Sequence, residues 1–323
     1  MMKTKIAYLV EPRKFEIREE NLEIGPEEVL IRIAVCGLCN WELNHWTGKI
    51  GDYPQAVGHE WAGTVVEVGK DVKGFRVGDK VTGLAEGLRS FSQYRVSKAS
   101  DLFLLDEKVK VDQALGEPLK CIMTVVRASR AEAGDYGVVI GCGAMGQWCI
   151  QALSKSVSQL IAVDVSEDRL LLAKKFGASA TINSAKEDAV KRIWELTRGR
   201  MADFVIEGTG IPELMNTACD YLKDSGRGRL VLMSSHERPC KEFDFRKIID
   251  KSIEIIAAHP DYSLDQTDDL RRAVDYLNKG VFQMDELITH RFELDEINQA
   301  FETLENKPKD YLKGVVILNQ EEE

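Results

Sequence analysis

No apolar run in this chain of 323 residues approaches the ~20 residues needed to span a bilayer. The opening stretch, Met1-Met2-Lys3-Thr4-Lys5-Ile6-Ala7-Tyr8, lacks an apolar export core and a small-residue cleavage site. No export signal is therefore read, no membrane partner is expected, and a cytoplasmic location is the expectation. Dense basic blocks are also missing. The formal charge is −10 and the pI about 5.2, and Arg198-Gly199-Arg200 is a short cluster that reads as a solvated loop. Nucleic-acid backbones are bound through clustered Lys and Arg, so no nucleic-acid partner is expected. The seven cysteines are odd in number and scattered, which argues against a disulfide framework and for a reducing compartment. Only Cys36 and Cys39 form a CxxC pair, and no thioredoxin-like βαβ pattern surrounds it. Internal repeats and low-complexity segments are absent. The acidic run Glu321-Glu322-Glu323 reads as a frayed tail.

What is present is ordinary for a globular protein: 44% hydrophobic residues and 25 glycines. At ~100–200 residues per domain the length predicts two domains. The first hundred residues read as β-rich, with strand-like runs at Val29–Val35 and Gly63–Gly69 and a turn then strand over Gly74–Val81, punctuated by glycines and charges, the pattern of a small barrel-like domain. From about residue 121 the pattern changes. Short apolar runs at Tyr136–Ile140, Leu160–Val163, Phe204–Ile206, Leu230–Met233 and Ile253–Ala257 read as buried parallel strands. Helical periodicity separates them at Ser166–Phe176 and Ala189–Thr197, predicting a doubly wound parallel sheet. Two further helical patterns, Gln266–Asn278 and Leu294–Asn306, precede a last strand, Gly314–Leu318, expected to rejoin the first domain. The predicted fold class is α/β, with a discontinuous β-rich domain (1–120 and 259–323) and a nucleotide-binding domain (121–258).

Two constellations carry chemistry. Gly141-Cys142-Gly143-Ala144-Met145-Gly146 follows a predicted strand and opens a helix. The first glycine permits a tight turn, the second lets backbone approach a pyrophosphate, and the third allows close helix packing. Free N–H groups of the helix start then favour the anion. Asp164, 18 residues beyond Gly146, ends the next strand. An acid there accepts bonds from both ribose hydroxyls and repels a 2′-phosphate, favouring NAD; the competing role is a helix cap, for which Ser166 is the rival. Arg169 either reaches back to the adenosine ribose or lies on a solvated helix face. Thr209, in Glu207-Gly208-Thr209-Gly210, sits at the carboxyl edge of the sheet, where ligands bind in such folds. Cys142 is read as a space-filling residue.

The second constellation begins at Cys39 and resumes 20 residues later at His59-Glu60. Thiolate, imidazole and carboxylate are the side chains that bind zinc tightly. Glu117, in Glu117-Pro118-Leu119, offers a fourth. Taken alone, each is an ordinary residue type; adjacent His and Glu in one segment are harder to explain that way. Metal and nucleotide together point to alcohol or polyol oxidation.

Gly58-His59-Glu60, Gly63, Gly69 and Val72 resemble the signature of zinc-containing medium-chain alcohol dehydrogenases, and Val35-Cys36-Gly37-Leu38-Cys39 resembles the segment ending in their first zinc ligand. Glu117-Pro118-Leu119 resembles the third-ligand segment of the sorbitol and threonine dehydrogenase branch. The glycine motif, Asp164, Glu207–Gly210 and Thr289-His290-Arg291-Phe292 follow in family order, so the resemblance covers nearly the whole chain. It implies a GroES-like catalytic domain, a Rossmann domain, zinc, NAD and a small-molecule alcohol or polyol substrate. It implies Cys39, His59 and Glu60 as ligands, with Glu117 a fourth ligand or the partner of water on the metal, and Cys36 as packing. A homodimer or homotetramer is expected, since the family often pairs the last Rossmann strand, here near Ile253–Ala257.

The sequence departs from the family twice. The segment after Gly83 runs directly into Ser92-Gln93-Tyr94-Arg95-Val96 without the four cysteines of a structural-zinc lobe, so one zinc per chain is predicted. After the ligand cysteine the family has any residue, then Ser or Thr, then Asp; here Asn40, Trp41 and Glu42 follow. Trp41 has only an N–H donor and cannot carry the alcohol proton. The usual downstream histidine is Asn44, with His45 beside it, so the proton is expected to leave through Glu117 or His45. Two other readings stay open: a nucleotide-binding family member without catalysis, and a zinc-independent reductase.

Overall fold

Alternating and β-branched segments of the first hundred residues do form strands, and the glycines between them turn the chain. The computed structural model describes residues 1–85 and 87–319; the acidic run at 321–323 lies outside them. The described chain divides into two units, one of Met1–Lys120 with Leu270–Glu323 and one of Cys121–Asp269. No helix is long and apolar enough to cross a membrane among the described residues.

In the first unit a hairpin of Met2–Glu11 and Lys14–Leu22 joins Gln55–Ala56 in a small antiparallel sheet. A seven-stranded sheet is centred on Glu28–Gly37, which pairs antiparallel with Glu60–Val68, Tyr94–Lys98 and the C-terminal strand Lys313–Ile317. The register sets Gly37 opposite both Glu60 and Val315. Trp46, Trp61, Phe91 and Phe301 fill the core beneath these strands, each fully buried. Burying rings of this size contributes on the order of 2–3 kcal/mol apiece, enough to hold the short connecting helix Asn40–Trp46 in place through Trp46.

The second unit is a six-stranded parallel sheet, in spatial order Ala180–Asn183, Gln159–Asp164, Tyr136–Ile140, Phe204–Glu207, Arg229–Leu232, Glu254–Ala257. The order reverses at Tyr136–Ile140, the topological switch point beyond whose carboxyl end ligands bind in such sheets. Three of its strands, Gln159–Asp164, Tyr136–Ile140 and Phe204–Glu207, are buried on both faces and so appear as unbroken apolar runs.

Several elements differ from the sequence reading. Ala180–Asn183 is a strand although only two of its four residues are buried, so it lacks an apolar run. Glu117 lies in the first turn of the helix Gly116–Ser129, an element for which the sequence reading gives no helix. Proline is tolerated there because first-turn N–H groups have no helical partner. The second unit also extends to Asp269 rather than 258. The buried Asp269 carboxylate accepts from Thr124 (2.8 Å), Arg127 (2.6 Å) and Ser263 (2.6 Å), which ties the segment after Ala257 to that unit.

Candidate metal centre and nucleotide site

Cys39 ends the turn after Glu28–Gly37 and is the N-cap of the helix Asn40–Trp46. His59 and Glu60 stand at the start of Glu60–Val68, one strand away. The antiparallel pairing therefore brings together residues 20 apart in sequence. Donor atoms of Cys39, His59 and Glu60 lie within 4.8 Å of one another, the one such group among the described residues. Sulfur, imidazole nitrogen and carboxylate oxygen at that spacing fit a tetrahedral ion with bonds of about 2.0–2.3 Å.

Neighbouring groups orient each donor. His59 Nδ1 donates to the Glu42 carboxylate at 3.0 Å, which fixes the tautomer and leaves Nε2 for the metal. Glu42 is wholly buried and also accepts from the Cys39 N–H at 3.3 Å. Glu60 Oε2 lies 2.5 Å from the ammonium of buried Lys313, which also donates to the Leu38 carbonyl at 2.9 Å. A Cβ at Gly37 would stand 2.1 Å from Glu60 Oε2, so any larger residue there would displace that carboxylate. Glu117 stands beside the three-donor group, Oε2 3.7 Å from His59 Nε2 and Oε1 2.9 Å from Lys120 Nζ. Cys36 lies in the hydrophobic core.

These proximities shift Cys39, His59 and the neighbouring Glu117. Burial and the nearby Glu60 push the Cys39 thiol up. Burial opposes charge on His59, yet Glu42 and Cys39 hold its pKa well above the ordinary imidazole value. Burial works against ionised Glu117 too, but His59 and Lys120 keep it below the usual carboxylate range. The metal-free site thus holds protons on the thiol and imidazole, which a bound cation would displace.

Trp41 is 41% exposed and meets His45 and His59 edge-on, at ring-centroid distances of 4.4 and 5.6 Å. His45 is buried, which lowers its pKa, with the Gln55 side chain as polar neighbour. It does not join the donor group. The carbonyl of Asn44 accepts the Lys49 N–H at 2.9 Å, in the turn closing the helix.

In the second unit Gly141 has φ +88° and touches Thr209, whose Cγ2 would lie 2.8 Å from an added Cβ. A Cβ on Gly146 would stand 2.0 Å from the Gly141 carbonyl, whereas one on Gly143 meets nothing within 4 Å. The loop is thus close-packed at its first and third glycines and open at its second. Gly143 caps the helix Ala144–Leu153 with no side chain on the free N–H groups of Ala144, Met145 and Gly146, an arrangement suited to phosphate. Asp164 is buried. One oxygen accepts from Cys142 N–H (2.7 Å), the other from Val165 (2.8 Å) and Ser166 (2.9 Å). It therefore braces the glycine loop, and Ser166 is the helix cap, accepting from Arg169 N–H. The Arg169 carbonyl accepts from Gln147, which bridges to the loop carbonyl of Cys142. Thr209 donates its N–H to the wholly buried Glu207 at 2.8 Å and its hydroxyl to the same carboxylate.

Sequence reasoning passed over Glu42, Lys313, Lys120 and Gly37. The spacing Cys39-x-x-Glu42 is that of N-cap to third helical residue, a capping signal that points to Glu42. Lys313 has no local signal, because its partners lie more than 250 positions away.

Comparison with known proteins places both units. The family described as zinc-binding dehydrogenase matches residues 144–277, and that described as alcohol dehydrogenase GroES-like domain matches 25–107. The chain is 26% identical to D-arabitol-phosphate dehydrogenase of Enterococcus avium, covering 87% of each. It is 26% identical to sorbitol dehydrogenase of Bacillus subtilis strain 168, over 94% of this chain and 95% of that one. The crystal structure of 2R,3R-butanediol dehydrogenase from Bacillus subtilis superposes with a TM-score of 0.81 at 28% identity, over 98% of this chain and all of that one, 100%.

Proposed function

We infer from one premise, that the chain belongs to the zinc-containing medium-chain alcohol dehydrogenase family, how its two sites divide the work. The protein is an oxidoreductase that moves hydride between a small alcohol or polyol and a nicotinamide cofactor. The observation that carries the reading is the convergence of Cys39, His59 and Glu60 within 4.8 Å. Zinc would be held by these three, one ion per chain, since the segment after Gly83 has no cysteines for a second. Glu117 either completes the ligand set or accepts a hydrogen bond from solvent at the open position. NAD is favoured over NADP because Asp164 places a negative charge at the end of the second nucleotide-site strand. Polyols and vicinal diols are the substrate class that the dehydrogenases of sorbitol, butanediol and arabitol phosphate suggest.

When bound, zinc supplies Lewis acidity that lowers the pKa of an alcohol hydroxyl, and the nicotinamide takes up the hydride. The protein supplies orientation and proton traffic. Glu42 fixes His59, and Gly37 leaves room for the Glu60 carboxylate. Trp41 puts an indole where relatives carry a hydroxyl, so it bounds the substrate side without moving a proton. Glu117, ionised beside His59, is the preferred acceptor of the substrate proton, and His45 the second choice. We place the protein in a reducing, cytoplasmic compartment on its seven free cysteines. A homodimer through the edge strand Glu254–Ala257 is supported by exposed Ile255 on that strand and by Phe245 and Ile249 on the helix before it.

The test is a panel of polyols, diols and amino alcohols followed at the NADH absorbance, with and without chelator. Turnover is expected to vanish on zinc removal while NADH binding persists. Cys39→Ser should abolish zinc retention, and Glu117→Gln should reduce turnover more than NADH affinity. Turnover that survives complete demetallation supports the zinc-independent reductase, and NADH binding without turnover across the panel supports the binding-only role.

A further inference from the structure

Three carboxylates, Glu42, Glu60 and Glu117, are buried around the candidate metal centre, and two buried ammonium groups pair with two of them, Glu60 and Glu117. Lys313 Nζ lies 2.5 Å from Glu60 Oε2 with side-chain exposures of 9% and 3%; Lys120 Nζ lies 2.9 Å from Glu117 Oε1 with 4% and 8%. Lysine is almost never buried to this extent unless paired. Each ammonium is also anchored by its own element: Lys120 sits one helical turn from Glu117, and Lys313 bonds the carbonyl of Leu38, immediately before Cys39. The positive charges are therefore built into the frame that carries the donors.

A buried carboxylate without compensation is strongly destabilising. A divalent cation among Cys39, His59 and Glu60 would supply that compensation, and so does each lysine. Metal and lysine then serve the same carboxylates and repel one another across a few ångströms of poorly screened protein. We propose that Lys313 and Lys120 are built-in counter-cations: they hold Glu60 and Glu117 in place when the metal is absent and oppose it when it binds. The site keeps its shape after metal loss and takes zinc less tightly than its donors alone would. Both lysines are positioning residues. The inference rests on reading Cys39, His59 and Glu60 as the zinc site.

The experiment compares the full-length protein with Lys313→Met, Lys120→Met and Lys313→Arg. Zinc affinity is read by competition with a chromophoric chelator, and thermal midpoints are taken in excess EDTA and with zinc at one equivalent. Each Met variant is expected to bind zinc at least about tenfold more tightly than wild type. Its midpoint should fall in EDTA and recover with zinc, while Lys313→Arg matches wild type in both. Unchanged or weaker zinc binding in the Met variants, or equal midpoint losses with and without zinc, would overturn the proposal and leave the lysines as packing. Should Lys313→Met fold only with zinc, that is the expected effect at its limit; failure to fold under both conditions counts against it, and Lys120→Met gives an independent answer. A wild-type protein that takes up no zinc refutes the metal site itself, a result distinct from zinc uptake without a shift in the variants.

Discussion

Replacing Glu42 by Gln tests whether the metal centre depends on a residue that never touches the metal. The change preserves shape and removes one charge from a wholly buried side chain. Glu42 accepts two hydrogen bonds, from His59 Nδ1 at 3.0 Å and from the Cys39 N–H at 3.3 Å. A carboxylate serves both donors; a carboxamide has one acceptor oxygen and one NH2. If the oxygen faces His59, the NH2 opposes the Cys39 N–H. If the amide is turned over, its NH2 faces Nδ1, which must then be the unprotonated nitrogen, placing the ring proton on Nε2 and blocking the metal. The first orientation loses one bond to a charged group, worth about 1.5–3 kcal/mol; the second keeps both bonds but puts the ring proton where the metal must bind.

Zinc affinity should accordingly fall by about 10- to 100-fold, the range found when carboxylates behind metal-bound histidines are removed. Competition with a chromophoric chelator measures this. NADH affinity, read by fluorescence, should stay within about twofold, equivalent to less than ~0.5 kcal/mol, because the nucleotide loop belongs to the other compact unit. Zinc binding in Glu42→Gln equal to wild type, with the protein folded, would refute the claim that Glu42 sets the His59 tautomer.

Three further outcomes are expected. Gly37→Ala places a methyl 2.1 Å from Glu60 Oε2 and should displace that carboxylate, lowering zinc content by elemental analysis while leaving NADH binding intact. Gly146→Ala drives a methyl to within 2.0 Å of the Gly141 carbonyl, so NADH fluorescence titration should show binding weakened by at least about tenfold, with overpacking destabilising the fold by ~1–3 kcal/mol. Asp203→Asn tests the pH dependence of the nucleotide unit. Burial opposes the charged form of Asp203, but bonds from Lys223 at 2.8 Å and from the Tyr136 N–H at 2.9 Å hold its pKa below the ordinary value. A depressed folded-state pKa gives stability that is fully present above the unfolded value and lost as pH falls through the folded one. The stability gap between wild type and Asp203→Asn, measured by urea melts, should be about 1–2 kcal/mol near neutrality and close below about pH 4. A gap independent of pH would rule out the ionised carboxylate as its source.

The parts of this protein legible in one dimension are those whose physics is local. Five of the six parallel strands announce themselves as short apolar runs; Gln159–Asp164, Tyr136–Ile140 and Phe204–Glu207 do so because both faces are covered, whereas Ala180–Asn183 carries no such run. The glycine loop is legible because its spacing carries a local steric demand, that of Gly146 against the Gly141 carbonyl five residues earlier. Asp164 is partly so. Its position is read correctly at the strand end, but three backbone N–H groups already engage it, a use of the carboxylate that no spacing rule reveals.

At the metal centre the same division separates the donors from what positions them. Cys39, His59 and Glu60 are visible as chemical types, and the strand pairing that joins them follows from adjacent antiparallel β segments. Glu42 lies at the edge of legibility. It occupies the third helical position after an N-cap, a pattern that predicts a backbone bond to Cys39 but not the second bond to His59, 17 positions away. Lys313 lies beyond it. The strand Lys313–Ile317 was readable as a strand, yet only its pairing beside Glu28–Gly37 sets the ammonium against Glu60 and the Leu38 carbonyl. A donor set follows from residue types in order along the chain. The charge balance that lets those donors stay buried follows from topology, and so it appears only once the last strand has been placed beside the third.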